Sequence, residues 1–115
     1  MDFEFTRGDT FLFKFKLKDK NGVEITLNPT DKLYFTVKKS SKSTDRLIQK
    51  TTPSGIVYGE DGYYHITIES DDTATLDYGG YEYDIELKTA SGVVKTLILG
   101  NITLTDEITF KGDES

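Results

Sequence analysis

Asp77-Tyr78-Gly79-Gly80-Tyr81-Glu82-Tyr83 joins a turn signal to the start of an alternating strand. An aspartate followed by two glycines marks a tight change of direction, because these residues supply turn hydrogen bonds and unusual backbone angles. Beyond the turn the chain alternates. Tyr81, Tyr83, Ile85 and Leu87 share one parity, and Glu82, Asp84, Glu86 and Lys88 share the other, as in a half-buried strand. A tyrosine at the start of such a strand can send its hydroxyl back to the upstream backbone and pin the turn.

The same alternation recurs on both sides of this stretch. Phe3 and Phe5, then Phe11, Phe13, Phe15 and Leu17, form one apolar row interrupted by Thr6-Arg7-Gly8-Asp9, which reads as a turn or bulge. Lys14, Lys16 and Lys18 occupy the opposite face of the second segment as a solvated basic row. Asp19-Lys20-Asn21-Gly22 is a hairpin turn signal. Lys32 to Lys38 alternates Leu33, Phe35 and Val37 with Tyr34 and Thr36, and Leu47–Lys50 and Ile56–Tyr58 are short enough for sheet edges. Tyr64, Ile66 and Ile68 point inward against Tyr63, His65 and Thr67. A helical turn is expected over Ser70 to Leu76, capped by Ser70 or Asp71. After a hairpin at Ala90-Ser91-Gly92, Val94, Thr96, Ile98, Ile102 and Leu104 hold one parity, and Gly100 marks an expected bulge or close backbone approach.

Asp77, Gly79 and Tyr81 resemble the tyrosine corner of immunoglobulin-like sandwiches, in which the second cysteine follows the tyrosine by two residues. Here that position is Tyr83. The expectation is an all-β fold, an immunoglobulin-like antiparallel β-sandwich of about seven strands, with a small β-barrel as the alternative. At 115 residues the chain is one domain, spanning 1–110, followed by a polar, frayed end at 111–115.

Composition narrows the function classes. Cysteine is absent, which excludes disulfides and thiolate metal sites, and no apolar run approaches a membrane span. The N-terminus lacks the pattern of a signal peptide. A net charge of -6 argues against nonspecific nucleic-acid binding. That charge is unevenly placed: residues 1–50 carry 11 basic against 7 acidic side chains, and residues 51–115 carry 3 against 13. Either strands from the two halves neutralise one another across a sheet, or basic and acidic faces meet in adjacent copies or partners.

No catalytic constellation stands out, and none is expected. His65 is the only histidine and has no second ligand at metal-binding spacing. Glu60-Asp61, Asp71-Asp72 and Asp106-Glu107 read as turn and cap residues and lack the alternating spacing of a calcium loop. No phosphate loop, dinucleotide fingerprint or nucleophile elbow is present, so no cofactor is expected. Arg7-Gly8-Asp9 spells an adhesive tripeptide, yet a turn between strands accounts for it. The surface candidates are Tyr34, Tyr58, Tyr63 and Tyr78, with Lys14, Lys16 and Lys18 and with Glu82, Asp84 and Glu86, since exposed tyrosine is enriched at interfaces. Carbohydrate binding would use the same tyrosines.

Phe5-Thr6-Arg7-Gly8-Asp9-Thr10, the alternating strand Lys32 to Lys38, Asp72-Thr73-Ala74-Thr75-Leu76, Gly80 to Ile85, and Thr96 to Gly100 followed by Ile102-Thr103-Leu104 together resemble a family of bacteriophage and prophage modules. These are similar to the N-terminal domain of siphophage baseplate upper proteins and to short proteins encoded among tail genes. The resemblance implies a noncatalytic β-sandwich that builds a tail or baseplate through protein–protein contacts. Other tail or baseplate proteins, or copies of the chain itself, would be its partners. It also implies a location in the virion, or in the host cytoplasm during assembly. The alternative reading is a carbohydrate-binding module in host adsorption.

Overall fold

A computed structural model describes residues 2–40, 42–52 and 54–105. The ten strands are β1 (Phe3–Thr6), β2 (Phe11–Phe15), β3 (Leu17–Lys18), β4 (Glu24–Ile25), β5 (Lys32–Lys38), β6 (Ile48–Thr51), β7 (Ile56–Tyr58), β8 (Tyr64–Ile68), β9 (Gly79–Lys88) and β10 (Val94–Thr105). One helical turn, α1 (Ser70–Thr73), lies between β8 and β9. The strands fall into a five-stranded sheet in the order β1-β10-β9-β5-β6, a three-stranded sheet β2-β8-β7, and the small β3-β4 ribbon. Among the described residues no ladder joins the two larger sheets, which makes the fold a sandwich and not a closed barrel.

The orders β2-β8-β7 and β10-β9-β5 reproduce the B-E-D and G-F-C arrangements of immunoglobulin-like domains. The first strand departs from the constant-type pattern. In that pattern it joins the B-E-D sheet, whereas here β1 pairs with β10, and in parallel: Phe3 lies against Ile102 and Phe5 against Leu104. The expected all-antiparallel sandwich therefore contains one parallel pair, and the smaller sheet is left with three strands.

The alternation of the sequence is carried into the core. Leu33, Phe35 and Val37 of β5, Ile66 and Ile68 of β8, Ile56 of β7 and Ile85 of β9 are all buried between the sheets. Burial of each such side chain is worth about 1.5 to 3 kcal/mol relative to exposure. At the centre, where immunoglobulin domains place an inter-sheet disulfide against a tryptophan, three aromatic rings meet. Phe13 of β2 lies 5.4 Å from Phe35 of β5, Phe35 lies 5.5 Å from Tyr83 of β9, and Phe13 lies 6.3 Å from Tyr83. The two sheets are thus tied by packing that requires no oxidant.

The corner forms as the sequence implies. Tyr81 is buried and its hydroxyl donates to the Asp77 carbonyl at 2.6 Å, while Gly79 takes φ 118, a left-handed conformation suited to glycine. The Lys39 ammonium sits 4.5 Å from the centre of the Tyr81 ring and donates to the Gly80 carbonyl at 3.1 Å.

Three local expectations are corrected. The bulge in the last strand lies between Thr96 and Ile98, where Leu97 is the extra residue, and Gly100 stays in register with Tyr83. The bulge flips the parity: Val94 and Thr96 pair with the outward Lys88 and Glu86, whereas Ile98, Ile102 and Leu104 face the core. Both Leu97 and Ile98 pack against the core, which is the gain that accompanies the bulge. The helical turn is capped by Glu69, one residue earlier than expected, because the Asp72 carboxylate reaches back to accept from the Glu69 N–H at 2.7 Å. The expected continuation at 106–110 and the tail 111–115 lie outside the described residues.

Candidate functional site

The candidate surface residues separate onto two sheet faces and one corner. Glu82, Asp84 and Glu86 line up along the outer face of β9, in the middle of the five-stranded sheet. On β5, Lys38 lies across from Glu82, Thr36 across from Asp84 and Tyr34 across from Glu86. On β10, Asn101 lies across from Glu82 and Leu99 across from Asp84. Apart from Tyr34, these residues, with Asp2, Arg46 and Gln49, line an open groove of about 670 Å³.

Its electrostatics follow from crowding. The Asp84 carboxyl is pushed up from its ordinary range by burial and by the neighbouring Glu86, and Lys38 offsets part of the effect. Tyr83 lies beneath, pushed up to about 12 by burial and secondarily by the Asp2 carboxylate. Leu99 is 70% exposed at the centre of the β10 rim. A face of this kind offers carboxylates to cationic side chains, the Lys38 and Arg46 cations to acidic ones, and one apolar contact, Leu99, on the β10 side of the acidic row.

The basic row runs from the three-stranded sheet into the β3–β4 ribbon. Lys14, on the outer face of β2, pairs with Asp61 at 3.2 Å, and Lys16 pairs with Glu24 at 2.6 Å. Both ammonium groups lie over the ring of Tyr63, at 4.8 and 4.6 Å from its centre. Lys18 is exposed on β3, across from Glu24. The charge halves of the sequence therefore meet partly within the molecule: Lys14 with Asp61 and Lys50 with Asp72 are pairs between halves that join a strand to a turn or helix, and across the sheet Lys38 lies opposite Glu82 and acts on Asp84.

The remaining tyrosines are placed by packing. Tyr58 shares the inward register of Tyr64, not the outward parity expected of it, and is half-exposed because it ends β7; the two rings lie 4.8 Å apart. The Arg7 guanidinium stacks over Tyr78 at 4.2 Å and donates to the Leu76 carbonyl at 3.1 Å. Arg7 is thereby held against the corner. The Thr6–Asp9 turn closes through Asp9 N–H to the Thr6 carbonyl, with Gly8 at φ 86, and the Gly8 N–H donates to Thr73 Oγ1 at 2.8 Å. Arg7-Gly8-Asp9 is accordingly the turn between strands, with its arginine engaged by the fold.

His65 and the acidic turns also have structural partners. His65 Nε2 is 2.9 Å from Asp61 Oδ1, and Asp61 also accepts from the Tyr63 N–H and from Lys14. These hydrogen bonds, that of His65 foremost, hold the Asp61 carboxyl well below the usual carboxylate range. Among the described residues no group of three histidine, cysteine or acidic side chains is arranged to hold a metal ion.

Sequence reasoning found the acidic row of β9 but missed Asp2, Thr36, Arg46, Gln49, Leu99 and Asn101. The parallel pairing of β1 with β10 brings Asp2 to Asn101, whose backbone N–H donates to the Asp2 carboxylate at 3.0 Å across a separation of 99 residues. The only local trace was Leu99, an apolar residue out of phase with Ile102 and Leu104. No protein-family model matches this sequence, and a search of curated proteins finds no significant match.

Proposed function

We propose that the chain is a noncatalytic structural module of a phage or prophage tail or baseplate, working through protein–protein contacts. The observation that carries this reading is the outer face of the five-stranded sheet, where Glu82, Asp84 and Glu86, the cations Lys38 and Arg46, and the exposed Leu99 share one groove on a rigid scaffold. Mixed charge beside an exposed apolar residue suits a protein partner, since complementary charge sets orientation and the apolar contact adds affinity. The resemblance to baseplate upper-protein N-terminal domains supplies the biological setting. In that setting the protein resides in the virion, or in the bacterial cytoplasm while the particle assembles, and its partners are neighbouring tail proteins or further copies.

The tyrosines weigh on the same side. Sugar recognition uses open aromatic faces, whereas Tyr63 has two lysines over its ring and Tyr78 has Arg7. The test is to mix the protein with the products of the neighbouring tail genes and look for a complex that co-migrates in size-exclusion chromatography. A complex weakened by Leu99→Asp or Glu86→Lys supports the reading. Absence of any complex, with glycan-array binding lost on Tyr63→Ala, would replace it with the carbohydrate-binding alternative.

A further inference from the structure

We infer that the free edge of β2 is a strand-acceptor site whose partner is an extended segment of another protein, alternating apolar and acidic residues. The inference rests on the protein-contact reading above and names the strand that makes the contact.

Because β1 has gone to the larger sheet, the smaller sheet lacks the strand that would lie beside β2. Among the described residues β2 pairs on one side only, with β8, from Phe11 against Ile68 to Phe15 against Tyr64. Pairing on one side leaves the N–H and C=O groups of every second residue facing outward, a ready template for another strand. The sequence Phe11-Leu12-Phe13-Lys14-Phe15 contains no glycine or proline and its register is unbroken. Other edges are shorter or interrupted: β1 and β6 have four residues each and β7 has three, and β10 carries its bulge in the part that β1 leaves uncovered.

The side chains define the occupant. Phe3, Phe5 and Phe11 are only partly buried on this side, and the Phe5 and Phe11 rings stack at 4.4 Å. An added strand would lay its inward residues beside Phe11, Phe13 and Phe15, so those positions call for apolar side chains. Its outward residues would lie beside Leu12 and Lys14; Lys14 keeps half of its side chain exposed while holding Asp61, and Lys16 and Lys18 continue the row beyond the end of β2 beside Glu24, so the outward position next to Lys14 calls for a carboxylate. A second copy presenting its own β2 in antiparallel register would set Lys14 diagonal to its counterpart at full overlap, or directly opposite it in the register one pair further on, and like charges so placed are unfavourable. The lysine row thus blocks self-pairing while admitting an acidic strand.

The test uses the intact protein with two short synthetic peptides, one alternating valine with glutamate and the other valine with lysine. The glutamate peptide is expected to bind and to slow amide hydrogen exchange within Phe11–Phe15, and the lysine peptide is not. In the Lys14→Glu/Lys18→Glu double variant, affinity for the glutamate peptide falls about tenfold and the lysine peptide becomes the preferred one, as expected for replacing attractive cross-strand pairs by repulsive ones. The proposal is overturned by equal binding of both peptides, by no binding at millimolar peptide, or by protection that arises along β6, β7 or β10. Self-association that protects β2 without peptide also overturns it, because a second copy would then be the occupant. A complex with tail proteins formed without strand acceptance removes this inference alone; strand acceptance without any tail-protein complex removes the assembly reading alone.

Discussion

The Tyr81 hydroxyl donates a 2.6 Å hydrogen bond to the carbonyl of Asp77, four residues upstream, and so ties the start of the central strand β9 to the crossing between the two sheets. The bond closes a loop that contains Gly79 in a left-handed conformation, and the Tyr81 ring is buried while its hydroxyl remains engaged. Tyr81→Phe keeps the ring and leaves the carbonyl without this donor. It is expected to lower stability by about 1 to 2 kcal/mol, seen as a lower urea midpoint with an unchanged slope.

Thr73 is the one buried polar side chain among the described residues, and its hydroxyl accepts from the Gly8 N–H at 2.8 Å. Thr73→Val preserves shape but strands that N–H between the first turn and the corner. Equilibrium unfolding is expected to show a loss of about 1 to 3 kcal/mol, larger than that of Thr73→Ser, which restores the acceptor.

Tyr83 predicts an alkaline limit to stability. Burial raises its folded value to about 12 from the ordinary 10.0. Between these two values the unfolded chain ionises while the folded protein does not, so stability is complete below pH 10 and falls as pH rises toward 12. The loss from this residue is roughly 2 to 3 kcal/mol. Tyr81, raised chiefly by burial, acts in the same direction. Urea midpoints measured across this window should fall less steeply in Tyr83→Phe than in the parent.

Asp84 behaves in the opposite sense to a salt-bridged carboxylate. Its folded value is raised, so its favourable contribution is present below the unfolded value of 3.8 and is lost as pH rises through the folded value. When ionised, the group is penalised by its burial and by the neighbouring Glu86. Asp84→Asn is therefore expected to raise the urea midpoint at pH 7, with the difference shrinking toward acid. A lower midpoint at pH 7 would contradict the crowding.

Gly59 lies where a side chain would collide with the His65–Asp61 pair: a Cβ there would sit 2.6 Å from His65 Nε2 and 2.8 Å from Asp61 Oδ1. Gly59→Ala is expected to push the imidazole away from Asp61. Since the hydrogen bond from His65 is the largest influence lowering the Asp61 carboxyl, that carboxyl should move back up toward its ordinary range, followed by NMR titration of the side-chain carbonyl.

Much of the molecule was legible in period-two alternation. The inward rows of β2, β5, β8 and β9 could be read directly, because a pleated strand sends successive side chains to opposite faces whatever lies next to it. The corner was equally legible: Asp77, Gly79 and Tyr81 are close in sequence, and their geometry is set by one turn and one hydrogen bond. In the last strand the same reasoning failed, because Leu97 and Ile98 are both apolar, and the alternation gave no sign that the bulge falls between Thr96 and Ile98. Of the acidic groove, the β9 row could be seen and the rest could not, since Asp2 and Asn101 meet only through strand pairing across nearly the whole chain.

The strand faces, the corner and the all-β character are written in the local sequence, for these follow from residue spacing and backbone chemistry over a few residues. That β1 leaves the smaller sheet to pair in parallel with β10, that the bulge seats both Leu97 and Ile98 against the core, and that Leu99 faces outward opposite Asp84 are outcomes of long-range packing. The physical reason is that an edge strand has the same alternation whichever sheet it joins. Its choice is made by the aromatic rings it can bury, here Phe3 against Phe13 and Tyr83, and by the loop entropy of bringing distant segments together.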